Sequence, residues 1–297
     1  MLLLCAKTDE KKKGFDVKAF EKSLRSIPAG TLTYADSSWV SLGKIKGRTV
    51  NVSPFYLCDH VVTNKEYRAF LGEIRFSDPQ LYTKMYPDTL VWFHHEHAFG
   101  EAMTNMYFWH PGYDSYPVVG VSHEQAECYC KWLTDEYTKD PNRKFKNAKV
   151  CLPDVYQWEW AAHGGHNTDP FPWPGTYVRN DKGLMMANFM GMPDCAFKRV
   201  NDTGKLEFAY SDWPEGPHSD YGKSLMPYAA ISYWPNDYGL YNMAGNVSEY
   251  VSEIGITKGG NWNDPGYYIQ IWIPEHYENA QSTSDRVGFR IALEEGK

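Results

Sequence analysis

Residues 237–251 read DYGLYNMAGNVSEYV, with two glycines, two asparagines and one glutamate among tyrosines and small apolar residues. Asn242 and Glu249 bring side-chain oxygens seven positions apart. Gly239 and Gly245 permit backbone angles that other residues resist, and a tight glycine-containing loop turns carbonyl oxygens inward. Mixed carbonyl and carboxylate oxygens suit a hard cation such as Ca²⁺. The same pattern also suits an Asn/Gly turn beside a buried strand.

Other chemistry-bearing residues are sparse. His94, His95 and His97 form a cluster with Glu96 and Glu101 nearby. Imidazole is a common metal ligand, yet no second cluster follows at ligand spacing. The six cysteines are Cys5, Cys58, Cys128, Cys130, Cys151 and Cys195, with no CxxC pair among them. That argues against a zinc knuckle or a thioredoxin-type motif. Cys128 and Cys130 stand two apart on an expected helix, so they point in different directions. No nucleophile elbow, P-loop or HExxH helix is present.

The elements that must position these residues have clear signals. Thr63 with Glu66, and Ser122 with Gln125, form capping boxes that start two helices. Tyr67, Phe70 and Leu71 give the first an apolar face; Ala126, Cys130, Leu133 and Tyr137 do so for the second, expected over 122–137. A third helix is expected over 153–162, capped by Asp154 and ended by Gly164 and Gly165, with Trp158 and Ala161 facing the core. A short leading helix is expected over 15–25, and a strand over 49–58 with Val50, Val52 and Phe55 inward. Residues 74–117 form a long aromatic segment without periodicity, too long to be a bare loop inside a packed domain. Residues 166–236 predict loops.

Length and composition set limits. The chain has 297 residues and a net charge of −7. It is long enough for a sizeable core, and its 11 tryptophans and 22 tyrosines suit a loop-rich fold held by aromatic packing. A negative balance argues against a nucleic-acid partner. No apolar run approaches the roughly 20 residues of a membrane span. MLLLC at the start places an apolar triplet before Cys5. It lacks the basic start and long core of a lipoprotein signal, and is read as a trimmed one, with residues 7–14 as a tether and Cys5 as the lipid anchor.

Four motifs carry a resemblance. GLYNMAGNVSEY (239–250), CLPDVYQWEWAAHGG (151–165), KGGNW (258–262) and DRVGFRIAL (285–293) resemble, in order, signatures of the formylglycine-generating enzyme (sulfatase-modifying factor) family. The resemblance implies an α+β, irregular, loop-rich, C-type-lectin-like fold. Residues 26–297 would form one domain, with 1–25 as tether and leading helix. Residues 85–132 resemble a segment of the gliding-motility lipoproteins GldJ and GldK, members of that superfamily in the type IX secretion machinery of Bacteroidetes. Ser248 stands, as in those proteins, where the enzymes carry Trp.

The resemblance also assigns residues. It implies one structural calcium held by the side chains of Asn242 and Glu249 with the carbonyls of Gly245 and Val247. A second would use Asn188, the carbonyl of Phe189, Asp220 and the carbonyl of Gly222. Family members that make formylglycine bind copper(I) through two cysteines after the GGS(F/W) strand, soft ligands for a soft ion. Here Asp264 and Ile269 occupy those places, so copper is not expected and no catalytic residue is assigned. The ergothioneine-type relatives use a three-histidine iron site whose spacing the 94–97 cluster lacks. The expectation is a non-catalytic interaction protein of a cell-envelope assembly, in the periplasm or on the outer membrane, touching the membrane only through an acylated Cys5. The alternatives are an oxidoreductase with displaced ligands and a lectin-like binding module.

Overall fold

Two four-stranded sheets organise the molecule, and both are assembled from distant parts of the chain. The computed structural model describes residues 15–34, 49–93, 100–166, 168–190, 197–200, 205–208 and 226–296. The first sheet has the order β1 (Leu24–Ile27), β4 (Phe55–Cys58), β12 (Ala292–Glu295), β5 (Ala148–Cys151), all antiparallel. The second runs β10 (Pro274–His276), β9 (Ile256–Lys258), β8 (Ser248–Tyr250), β11 (Val287–Phe289). There β8 and β11 are parallel, which sets Gly288 opposite Glu249 and brings Arg290 just past the strand end. Two small hairpins complete the strands: β2 (Gly30–Thr33) with β3 (Thr49–Val52), and β6 (Phe197–Val200) with β7 (Lys205–Phe208).

Among the described residues six helices pack around the sheets: α1 (Val17–Ser23), α2 (Asn64–Ser77), α3 (Pro79–Met85), α4 (Gly100–Met106), α5 (His123–Lys139) and α6 (Val155–His163). The capping boxes form at Thr63–Glu66 and Ser122–Gln125, and a third closes on Asp154 with Gln157. Gly164 ends α6 in the left-handed conformation, as its lack of a Cβ allows. Trp158 and Ala161 are fully buried, as are Tyr67, Phe70, Leu133 and Tyr137 to within a per cent or so. Loops and turns link most elements, and the mixed α+β, loop-rich expectation holds.

Two expectations need amending. The strand expected over 49–58 is two strands in different sheets, β3 and β4, separated at Ser53 and Pro54. Proline has no N–H to give to a ladder, so the chain leaves one sheet there and enters the next. The aromatic segment 74–117 carries α3, α4 and two 3-10 turns, at Thr89–Trp92 and Pro111–Tyr113. Its aromatic density hid the short helices, whose caps are Asp78 and His110.

The largest core cluster joins Val17 and Phe20 of α1 to Tyr67, Phe70, Tyr129, Leu133, Val150, Phe289 and Leu293. The leading helix is therefore part of the packed body. A second cluster holds Ile27, Leu57, Trp158, Met243 and Ile271. No helix among the described residues is long and apolar enough to cross a membrane.

Candidate functional site

The loop 242–247 and the strands β8, β9 and β11 converge on one buried polar region. Asn242 and Asn246 both take positive φ, 52° and 70°, a conformation asparagine tolerates better than most residues. Gly245 has φ +72°, and a Cβ there would lie 2.3 Å from the carbonyl oxygen of Asn188. Glycine is required on both counts. The close approach lets Asn246 N donate to Asn188 O at 2.7 Å, while Asn188 Nδ2 donates to Asn246 Oδ1 at 3.1 Å. The structure thus brings 188–189 against 245–246, tying together two regions the sequence separates by more than fifty positions.

Glu249, 1% exposed, points from β8 into the core. Arg290 Nε donates to its Oε2 at 3.0 Å and Arg290 Nη2 to its Oε1 at 2.8 Å. Trp158 Nε1 donates to Oε2 at 2.7 Å. The guanidinium, itself fully buried, spends its remaining donors on the carbonyls of Cys58 and Tyr241 at 3.0 and 2.7 Å. This fork-to-fork pairing is the strong geometry for arginine and carboxylate. A second buried pair lies close by: Lys258 Nζ to Glu159 Oε1 at 2.7 Å, with Tyr34 Oη donating to Glu159 Oε2 at 2.6 Å. Burial lowers the Lys258 pKa, and the Glu159 charge opposes the shift.

Calcium needs six to eight oxygens. Both Glu249 oxygens already accept from a buried cation, and an ion placed on them would set two positive groups over one carboxylate. Asn242 turns its amide elsewhere: Nδ2 donates to Ala230 O at 2.9 Å, and Oδ1 accepts from Ser232 Oγ at 3.3 Å. As arranged, the Asn242, Gly245, Val247 and Glu249 set does not fit calcium. Of the second set, Asn188 and Phe189 are buried beside the loop, and Asp220 and Gly222 lie outside the described residues. So do His94, His95, His97 and Cys5.

The two positions that the motif resemblance sets at the family's reactive cysteines have distinct surroundings. Ile269 is fully buried with Phe171, Ala187, Phe189 and Ala244. Asp264, 8% exposed, lies in a polar cluster. Its Oδ2 accepts from Asn261 N at 2.8 Å and from Asn261 Nδ2 at 2.5 Å. Asn261 Nδ2 also reaches Ser248 Oγ and Glu275 Oε2, both at 3.2 Å, and Ser248 Oγ donates to Glu275 Oε2. Burial raises the Asp264 pKa to about 7, and the Glu275 charge adds to the shift. Sequence reading missed Glu275, Asn261 and Arg290 as partners. Only the pairing of β9 with β10 brings Glu275 here, and sequence spacing carries no trace of that register. All four described cysteines, Cys58, Cys128, Cys130 and Cys151, are free thiols.

A mixed, loop-rich α+β fold built on two four-stranded sheets defines the class of molecule. The chain belongs to the family described as sulfatase-modifying factor enzyme 1-like domain, which it matches over residues 17–295. It is 24% identical to the inactive C-alpha-formylglycine-generating enzyme 2 of Bos taurus over 288 residues, covering 84% of this chain and 80% of that one. To the formylglycine-generating enzyme of Mus musculus it is 27% identical over 253 residues, covering 76% of this chain and 57% of that one. Among solved structures, Treponema denticola variable protein 1 superposes with a TM-score of 0.57 at 17% identity, covering 91% of this chain and 94% of the other. PvdO from Pseudomonas aeruginosa gives 0.56 at 17%, with 91% and 94% covered. These likenesses establish the fold.

Proposed function

We propose that the chain is a non-catalytic sulfatase-modifying-factor-like domain that serves as an interaction component of a cell-envelope assembly. The carrying observation is the fate of the two thiolate positions. Asp264 is a hard oxygen ligand hydrogen-bonded to Asn261, and Ile269 is an apolar core residue. Neither can act as the soft thiolate that copper(I) chemistry requires. The likeness to relatives described as inactive supports the same reading.

The envelope role rests on the resemblance of residues 85–132 to gliding and type IX secretion lipoproteins. That segment exposes Leu90, Phe93, Met106 and Trp109, a set of large apolar side chains of the kind that marks interaction surfaces. Location in the periplasm or on the outer membrane, with a lipid on Cys5, belongs to this proposal. Affinity capture from the native host envelope tests it. A stoichiometric envelope partner retained by the wild type and lost on Phe93→Ser with Trp109→Ser supports the role; capture of nothing beyond the bait overturns it.

Calcium is proposed on the second set alone: Asn188, the carbonyl of Phe189, Asp220 and the carbonyl of Gly222. An ion that binds only the folded chain stabilises it by about 2.7 kcal/mol at a hundredfold excess over Kd. A chelator should then lower the Tm, and Asn188→Ala should remove that difference. Identical melting of the wild type with calcium and with chelator contradicts it.

A further inference from the structure

At the end of β4, and sharing no residue with the Asp264 cluster, the sequence Cys58-Asp59-His60 folds three different ligand types onto one point. Cys58 Sγ, a carboxylate oxygen of Asp59 and a ring nitrogen of His60 all lie within 4.8 Å of one another. The Sγ to Nδ1 distance is 3.8 Å, and Asp59 Oδ1 to Nδ1 is 2.5 Å. A tetrahedral zinc site, with bonds of about 2.0 to 2.3 Å, spaces its donor atoms roughly 3.3 to 3.8 Å apart. Closing around an ion therefore asks Asp59 Oδ1 to move outward from Nδ1 by roughly 1 Å, with the sulfur-to-carboxylate distance brought from within 4.8 Å to the same spacing.

The backbone that carries the three residues is fixed on both sides. Cys58 N donates to Ile291 O at 3.0 Å, Asp59 N to Ser23 O at 2.8 Å, and Tyr241 N to Asp59 O at 2.8 Å. Cys58 O receives Arg290 Nη1 at 3.0 Å. Cys58 and Asp59 are buried and His60 is half-buried, so the cluster opens toward solvent on its imidazole side.

Independent support comes from the groups behind the donors. His60 Nε2 faces Glu66 Oε1 at 3.3 Å. Glu66 is itself held by the α2 capping box, its Oε2 accepting from Thr63 N at 2.8 Å and from Thr63 Oγ1 at 2.7 Å. A metal-bound histidine nearly always gives its other ring N–H to such a carboxylate, which fixes the ring and the tautomer. Arg25 Nη2 meanwhile holds Asp59 Oδ2 at 2.6 Å, leaving Oδ1 to face the imidazole. Cys58 Sγ is in contact with Ser23 Oγ at 3.4 Å.

We infer that Cys58, Asp59 and His60 form a binding site for a borderline divalent cation of the zinc class, with Glu66 orienting His60 and Arg25 orienting Asp59. One sulfur, one nitrogen and one carboxylate oxygen match the donor types zinc takes, and three protein ligands leave a fourth position for water. Hard calcium and magnesium prefer all-oxygen sets and are discriminated against by the thiolate. Zinc takes sulfur as thiolate and imidazole through an unprotonated nitrogen, so binding is coupled to proton release to solvent. Thiolate and Asp59 then neutralise the two charges of the ion, and Glu66 balances Arg25. This site is separate from the rebuilt cysteine positions, so its failure leaves the non-catalytic reading untouched.

Cobalt(II) titration of the full chain, purified metal-free under reducing conditions, is the test. One equivalent of Co²⁺ should produce a thiolate-to-cobalt charge-transfer band, and one equivalent of Zn²⁺ should erase it. Cys58→Ser should abolish the band while leaving the other thiols in place. His60→Gln, at the half-buried rim, provides a second variant whose folding circular dichroism can verify. Glu66→Gln should weaken zinc by about 10- to 100-fold, and His60→Gln by more. Absence of a stoichiometric band in the wild type, or a band unchanged in folded His60→Gln, overturns the assignment.

Discussion

Two buried polar clusters flank strand β8 and differ in how their charges balance. On one side Glu249 meets Arg290 and Trp158, and all three guanidinium nitrogens donate to an acceptor. On the other, Asp264 and Glu275 approach through Asn261 and Ser248, two carboxylates sharing neutral donors. The first is a matched pair and acts as a rivet through the junction of β8, α6 and β12. The second carries like charge in a desolvated place, and its cost surfaces as the raised Asp264 pKa. A scaffold is kept by clusters of the first kind. By the motif resemblance the second stands where family enzymes carry a reactive thiol, and its groups are a carboxyl, an amide and a hydroxyl instead.

Breaking the matched pair should have the largest effect. Glu249→Ala leaves a buried guanidinium uncompensated, a change that costs about 3 to 5 kcal/mol. Urea unfolding should show this loss equally with calcium and with chelator, because the partner is Arg290. Replacing both members by apolar residues of similar volume should recover much of the stability. A loss seen only in calcium would return Glu249 to the role of an ion ligand.

Gly245→Ala comes next. The added Cβ meets the Asn188 carbonyl at 2.3 Å with φ at +72°, and a non-glycine residue held there costs roughly 1 to 3 kcal/mol. Thermal melting should report that loss, while a surface control such as Gly72→Ala, with open space around its Cβ, should not be destabilised. Equal behaviour of the two variants would show that the 188–245 contact is slack.

The unmatched cluster should show itself through pH. Asp264 holds its proton up to about pH 7 in the folded chain, against an ordinary value of 3.8. A raised carboxyl pKa gives stability that is complete below the unfolded value and lost as pH rises through the folded one. Stability of the wild type should therefore fall between about pH 4 and 7 relative to Asp264→Asn, by an amount on the order of 4 kcal/mol. Parallel pH profiles for the two proteins would mean that Asp264 is charged and well solvated.

Much of this was legible before any coordinates. The capping boxes at Thr63 and Ser122 and the burial of Trp158 follow from local spacing, which a helix preserves. The positive φ at Gly245 follows from the residue type in its Asn-rich loop. Legibility ended where partners come from distant strands. Arg290 reaches Glu249 because β11 runs parallel to β8, and Glu275 reaches Asn261 because β10 pairs with β9. The family resemblance implies Asn242 and Glu249 as partners of one ion, yet the side chains diverge, one to Ser232 and Ala230, the other to Arg290. The Cys58-Asp59-His60 cluster is not legible in spacing because the chain bends just after β4, at Asp59 and His60, where strand alternation no longer sets side-chain direction.

On the proposed non-catalytic reading, Asp264 and Ile269 at the family's thiolate positions leave no formylglycine chemistry. The most direct test of that reading incubates the purified chain with copper and oxygen and a peptide carrying the C-x-P-x-R sulfatase motif, with mass spectrometry following the peptide cysteine. Unchanged peptide mass over many hours, beside a family enzyme that converts it fully, is the result expected of Asp264 and Ile269. A formylglycine mass shift at a turnover comparable with that enzyme would contradict the account.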